Sequence, residues 1–215
     1  MDGDMAPLEQ IARICAGAGA LLMVDDAHGF VVLGNGGRGS LEEAGLNAQQ
    51  VPVLVGTFGK ALGTAGAFVA GSALLIENLI QFARPYIYTT APSPALAVAT
   101  SAALGILAAE PWRRARLHEL IVHFRARASA LRIPFKDSTT PIQPLILGES
   151  RAALAIGQRL RAQGVLVAAI RPPTVPRGGA RLRITLSAAH GKDDVELLLN
   201  AIADSLKETS TQCPA

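Results

Sequence analysis

Two short apolar runs, at residues 21–24 and 51–55, each break off into polar residues of chemical character, and this pairing constrains the fold more than any other feature. The first reads L-L-M-V-D-D-A-H-G over residues 21–29, and the second V-P-V-L-V-G-T-F-G-K-A-L-G-T-A-G over residues 51–66. A brief apolar run bounded by turn formers is the pattern of a buried parallel strand. In open α/β sheets, ligands bind beyond the carboxyl ends of such strands. The first run delivers Asp25 and His28; the second delivers Thr57 and Lys60 in a turn that also carries Gly56, Gly59, Gly63 and Gly66. A carboxylate, an imidazole, a hydroxyl and an amine at neighbouring strand ends define a candidate site.

Around this core the periodicity predicts an α/β chain. Leu8, Ile11, Ala12, Ile14 and Cys15 fall at helical spacing within residues 6–18, with Pro7 tolerated in the first turn. Residues 29–39 form a glycine-dense loop, 41–46 one helical turn and 67–70 a third strand. Helices are expected over residues 72–83 and 94–107, and over 112–131 a long surface helix whose arginines are solvated. Pro134 and Pro141 bracket a polar stretch, after which strands at 143–147, 165–170 and 180–186 and helices at 151–163 and 193–207 complete the pattern, with a frayed tail from Glu208. The break sets an expected boundary between a larger portion, residues 1–132, and a small α+β domain, residues 133–215.

Composition excludes several functions. A formal charge of +3 with Lys and Arg dispersed along the chain argues against nucleic-acid binding. Cys15 and Cys213 are isolated thiols, consistent with a reducing cytoplasm and without metal-ligand spacing. The acidic start has no signal-peptide pattern. Residues 85–109 hold no charge and are long enough to span a bilayer, but their Ala, Ser and Thr content and the prolines at 85, 92 and 94 point to a buried helix rather than a membrane segment.

Three motifs invite other readings. G-N-G-G-R-G at residues 34–39 matches the dinucleotide pattern in letters, without the acidic residue expected about 20 positions later. G-T-F-G-K at residues 56–60 is too short for a phosphate loop, and Ala61 stands where a magnesium-binding hydroxyl belongs. Asp25, Asp26 and His28 could ligate a metal, but His118, His123 and His190 are scattered, the first two as surface residues of the long helix, so no metal is expected.

V-D-D-A-H-G, the G-R-G of residues 37–39 and T-F-G-K-A-L-G together resemble the core of the α-oxoamine synthases, pyridoxal-phosphate enzymes that condense an amino acid with an acyl thioester. The resemblance implies the C-terminal part of a fold-type I transferase: an incomplete, mostly parallel sheet followed by a smaller α+β domain. It implies Asp25 at the cofactor's ring nitrogen, His28 at its phenolic oxygen, Thr57 at its phosphate, and Lys60 as the Schiff-base lysine and proton-transfer group; the catalytic residues are thus Lys60 and His28. A-I-R-P-P-T-V-P at residues 169–176 and A-R-L-R-I-T-L-S-A-A-H at 180–190 resemble the family's substrate-facing region. They imply Thr174 as a substrate contact and Arg183 as the grip on the amino acid carboxylate, with Arg181 expected to face the other way. The R-P-P-T run is most similar to the family's biotin-pathway branch, which implies L-alanine and a pimeloyl thioester, on coenzyme A or a carrier protein, as substrates; the glycine-using branches are the alternative. A cytoplasmic homodimer is implied as well. The chain corresponds to about the C-terminal half of the family pattern, so Met1 is expected to be an internal position, and a non-catalytic remnant with an exposed sheet edge is a competing expectation.

Overall fold

The computed structural model describes residues 1–211. The chain divides into two compact units, one of Ala6–Pro111 and one of Met1–Met5 together with the chain from Trp112.

In the first unit, helix α1 (Leu8–Ala18) leads into strand β1 (Met23–Asp25). The single turn α2 (Ser40–Glu43), strands β2 (Val53–Thr57) and β3 (Ala67–Gly71), and helices α3 (Ala73–Phe82), α4 (Arg84–Ile87) and α5 (Pro94–Ala109) follow. The sheet order is β1-β2-β3, with β1 parallel to β2 and β3 returning antiparallel. Leu8 and Ala12 of α1 bury against Leu22, Val24 and Val51, with Leu54 packed alongside. Because side chains alternate along a strand, Met23 and Asp25, paired with Val53 and Val55, point to the opposite face. That face carries little cover within this unit, and Met23 is 64% exposed. The strands are therefore buried on one face, not on both.

Helix α5 also departs from expectation. It is apolar all round, yet only Thr100 is buried, and Val98 is 70% exposed. No single helix among the described residues is long and apolar enough to cross a membrane.

The second unit contains α6 (Trp112–Ala130), β4 (Ile142–Gly148), α7 (Ser150–Ala162), β5 (Ala168–Ile170), β6 (Ala180–Thr185) and α8 (Lys192–Thr211). Strand β6 lies between β4 and β5, antiparallel to both. Leu145, Leu182 and Ile184 from the sheet meet Ile156 and Leu160 of α7, Val195, Leu199 and Ile202 of α8, and Phe124 of α6 in one core. Four residues of α6, Leu120, Ile121, Phe124 and Ala128, are buried, which is why this helix belongs here and the division falls at Pro111 rather than near residue 132. The proline-bracketed stretch is a connection inside the unit. Helix α8 continues through the start of the tail expected to fray at Glu208; residues 212–215, with Cys213, lie outside the described residues.

The cations of α6 are only partly solvated. Arg116 donates to the carbonyls of Ala188 and His190, each at 3.0 Å. Arg125 reaches Asp137 at 3.0 Å, and Arg127 grips both oxygens of Glu196 through Nε. His123 Nε2 lies 2.9 Å from the same Glu196 carboxylate, so this histidine is not a plain surface residue; His118 is exposed.

Residues Met1–Met5 form a strap on this unit. The Gly3 carbonyl accepts from the hydroxyls of Ser138 and Thr140, at 3.0 and 3.1 Å. Gly3 itself is buried at φ +74°, with the Ile142 carbonyl where a Cβ would stand, so only glycine fits. Lys136 reaches Asp2 Oδ2 at 3.1 Å.

Leu182 is fully buried at the centre of the sheet. Leu182→Ala is expected to destabilise the unit by about 2–5 kcal/mol, read as a lowered urea midpoint with α8 and the sheet lost in one transition.

Candidate cofactor site at the end of the parallel strands

The parallel register pairs Asp25 with Val55 and leaves Thr57 two positions further along β2. Asp25, Val55 and Thr57 share the face turned away from α1, and the Cα atoms of Asp25 and Thr57 stand roughly 8 Å apart by strand spacing and rise. Lys60 follows in the β2–β3 hairpin. The sequence-predicted residues Asp25, His28, Thr57 and Lys60 thus belong to one edge of one sheet: Asp25 exposed at the end of β1, His28 exposed in the turn that follows, Thr57 half-buried and Lys60 exposed.

The turn after β1 is built on Asp26, which is 3% exposed. Its N–H continues the strand ladder to the Val55 carbonyl at 2.8 Å, and its carboxylate accepts from both the backbone N–H of Ser40, at 2.8 Å, and the Ser40 hydroxyl. Gly39, at φ +87°, brings its backbone so near this carboxylate that a Cβ would strike Asp26 Oδ2. The Asp26 carboxyl is pushed above its usual range by burial, opposed by the two hydrogen bonds from Ser40 and reinforced by the neighbouring Asp25 charge. Asp25 is held differently, accepting from the Ala27 N–H at 3.0 Å. Sequence reasoning raised Asp26 only as a metal ligand. Its carboxylate is committed to Ser40, and among the described residues no group of three His, Cys, Asp or Glu side chains could hold a metal ion.

The glycine-rich loop is equally committed. The N–H groups of Gly36 and Arg38 donate to Glu42, and that of Gly34 to Glu43, at 3.0–3.1 Å. A nucleotide phosphate would need these same donors, so the G-N-G-G-R-G letters have a structural use. G-T-F-G-K likewise opens a hairpin into β3 rather than a helix. Within that hairpin the Thr57 hydroxyl donates to the Gly66 carbonyl at 3.0 Å and accepts from the Gly59 N–H at 3.2 Å. Thr64 ties the loop to α5, its hydroxyl 2.9 Å from that of Thr100. Phe68 packs between Phe30 and Phe58, with ring centroids 5.1 and 5.5 Å away, and firms the floor beneath the loop.

Thr174 and Arg183 belong to the other unit. Thr174 is exposed in the loop between β5 and β6, its N–H bonded to the Arg171 carbonyl at 3.0 Å. Arg183 lines a cleft of about 360 Å³ with Leu166, Thr185, His190 and Asp194, and its Nε is buried and, among the described residues, without a hydrogen-bond partner. Arg181 does not face the other way: two positions apart on a strand, it shares a face with Arg183. It differs in being buried, at 7% exposed, and ion-paired with Asp2. The sequence signal for that partner was only the acid of M-D-G-D.

A parallel strand pair whose ends carry an acid and a hydroxyl, with an amine in the hairpin that follows, in a chain that also holds an α+β unit, defines the class, and the comparisons specify it. Residues 1–202 match the aminotransferase class I and II family, and the chain belongs to that family. The fold is that of the fold-type I pyridoxal-phosphate transferases, and the expected kinship with the α-oxoamine synthases is borne out. The chain is 57% identical, over 212 residues, to the 8-amino-7-oxononanoate synthase of Pseudomonas fluorescens, covering 99% of this chain and 54% of that protein. Among solved structures, a variant serine palmitoyltransferase from S. paucimobilis with bound PLP–myriocin aldimine superposes with a TM-score of 0.92 at 27% identity, covering 98% of this chain and 53% of that one. The 8-amino-7-oxononanoate synthase of Francisella tularensis gives 0.86 at 30% identity, with 98% and 61% covered. The chain therefore spans about half the length of the curated relatives it matches.

With its carboxyl raised in the fold, Asp26 contributes stability that is fully present below the model-peptide value of 3.8 and is lost as pH rises through the higher folded value. Asp26→Asn retains the contacts, since the amide can accept from the Ser40 N–H and donate to its hydroxyl. It is expected to remove that pH dependence, measured as urea midpoints from pH 3 to 7 for parent and variant.

Proposed function

We propose that the chain carries the cofactor-lysine portion of an 8-amino-7-oxononanoate synthase, joining L-alanine to a pimeloyl thioester with loss of carbon dioxide, as a cytoplasmic homodimer. The observation that carries this reading is the shared face and edge of Asp25 and Thr57, with Lys60 three residues further along the same loop.

The residues fit pyridoxal phosphate. Asp25 is an exposed carboxylate with no cation bonded to it among the described residues, suited to hold a ring nitrogen in its protonated form. His28, in the turn just beyond, is suited to the phenolic oxygen. Thr57 and the hairpin amides are suited to the phosphate, for which the Thr57 hydroxyl must release the Gly66 carbonyl. Lys60 is an accessible amine able to anchor the cofactor and then to move the α-proton of alanine. When bound, the cofactor supplies an electron sink for the carbon-acid step. Arg183 is suited to the alanine carboxylate, since its unpaired Nε and fork geometry match a bidentate acceptor. Thr174, exposed on its loop, is suited to the acyl substrate.

A second reading has its own support. Leu74, Phe82 and Val98 are 70–75% exposed, an apolar surface that favours association or aggregation over independent function. On that reading the chain keeps the lysine but does not retain cofactor alone.

Incubation with pyridoxal phosphate, borohydride reduction and peptide mapping separate the two. A phosphopyridoxyl group on Lys60, absent in Lys60→Ala, supports the enzyme reading. No label, together with concentration-dependent aggregation, supports the second.

A further inference from the structure

We propose that Asp2 and Arg181 form a positioning latch for the loop of residues 171–179, which carries Thr174. A guanidinium as deeply buried as Arg181, at 7% exposed, requires a counter-charge. Asp2 supplies it, accepting from Nη1 through Oδ1. Arg181 then uses Nε to donate to the Gly179 carbonyl at 2.8 Å, at the point where the loop rejoins β6. Among the described residues this is the one side-chain hydrogen bond that reaches the loop.

The two ends of the latch are of unequal firmness. Asp2 is fixed without help from the loop: Lys136 holds its other oxygen, and the Gly3 carbonyl beside it receives the Ser138 and Thr140 hydroxyls. The loop is held by short turns of its own, Thr174 N–H to Arg171 and Gly179 N–H to Pro176, each 3.0 Å, and by the buried Val175. Exposed turns of this kind open cheaply. Arg181 transmits the fixed position of the strap to the more exposed side, and its neighbour on the same strand face is Arg183. The functional consequence, a preset acyl-side loop, rests on the reading of Thr174 as a substrate contact; the latch itself does not.

Hydrogen exchange on the chain in solution tests both separately. In Asp2→Asn and in Arg181→Lys, amides of residues 171–180 are expected to exchange about tenfold faster while those of β4, α7 and α8 keep their parent rates. Lys136→Met, which removes one of the two holds on Asp2 and leaves the Asp2–Arg181 contact in place, is expected to raise loop exchange by less than Asp2→Asn does and to leave β4, α7 and α8 at their parent rates. Loop exchange equal to the parent's in a folded Asp2→Asn variant overturns the proposal, as does a uniform rise across the unit. Where Asp2→Asn does not fold, Asp2→Glu replaces it, keeping the charge while displacing it by one methylene; failure of both to fold shows a purely structural pair and also overturns the proposal. Calorimetry with pimeloyl-coenzyme A on the parent and on Thr174→Ala reads the other half: binding weakened or lost relative to the parent, with unchanged loop exchange, supports the substrate role, and binding equal to the parent's, or a parent that does not bind, sinks that role while leaving the latch standing.

Discussion

The register between β1 and β2 decides what this chain can do chemically. Met23, Val24 and Asp25 pair with Val53, Leu54 and Val55, and one further bond, from the Asp26 N–H to the Val55 carbonyl, carries the ladder into the turn. Side chains alternate with a period of two, so a slip of one position would drive Asp25 into the space between the sheet and α1 and turn Val24 outward. Burying an unpaired carboxylate against Leu8 and Ala12 costs several kcal/mol on the usual scale of roughly 2–7 kcal/mol for an unpaired polar group and more for a charge. The apolar packing of α1 therefore chooses the register, and the register delivers Asp25 and Thr57 to one face. Chemistry at the edge is a by-product of packing on the opposite side.

Packing brings the strands together; buried polar contacts give their ends a shape. Asp26 is turned inward beside an outward-facing Asp25, and its carboxylate is satisfied by one serine that supplies both a backbone and a side-chain donor. Glu42 and Glu43 treat the adjoining glycine loop in the same manner, absorbing N–H groups that would otherwise attract an anion. The consequence for ligand selection is negative as well as positive. The loop after β1 has few free donors for a phosphate, whereas the β2–β3 hairpin has glycine-bounded amides and a hydroxyl whose bonds are to its own loop. On the proposed reading, an anionic group near Asp25 would find its donors in the hairpin rather than in that loop.

Elements with a strong local signal were legible in the sequence. Helices α1, α5 and α7 and the two site strands lie within two or three residues of their expected bounds, because apolar spacing, Pro7, Pro94 and the glycines mark them directly. The placing of Asp25, Thr57 and Lys60 at one sheet edge was legible for the same reason: Asp25 and Thr57 each close an apolar run, and Lys60 follows in the glycine turn. What was not legible depends on partners distant in sequence. The place of α6 is decided by Phe124 and Leu120 meeting α8 and the sheet, a contact invisible in a helix rich in arginine. The exposure of α5 follows from what packs on it and not from its own composition. Asp26 and Ser40 are 14 positions apart, and Asp2 and Arg181 are 179 positions apart. Charged residues reveal only that they need a partner; which one they find is a property of the fold.

Arg181 and Arg183 show how such partnership sorts two like residues on one strand face. Both come from the same R-L-R run of β6, and the chain commits Asp2 to only one of them. Arg181, paired with Asp2 and bonded to Gly179, has its charge and its planar fork engaged, so a ligand there would have to displace interactions already made in a buried setting. Arg183 keeps a buried Nε without a partner among the described residues, a state that costs about 1–3 kcal/mol when the donor is desolvated. A carboxylate that reaches it relieves that cost in addition to the Coulomb attraction it gains, while the same carboxylate at Arg181 would relieve nothing. The free energy left unsatisfied at Arg183 is thus what would suit it, on the proposed reading, to a carboxylate that Arg181 would not take, and the difference is set by where Asp2 sits rather than by either arginine.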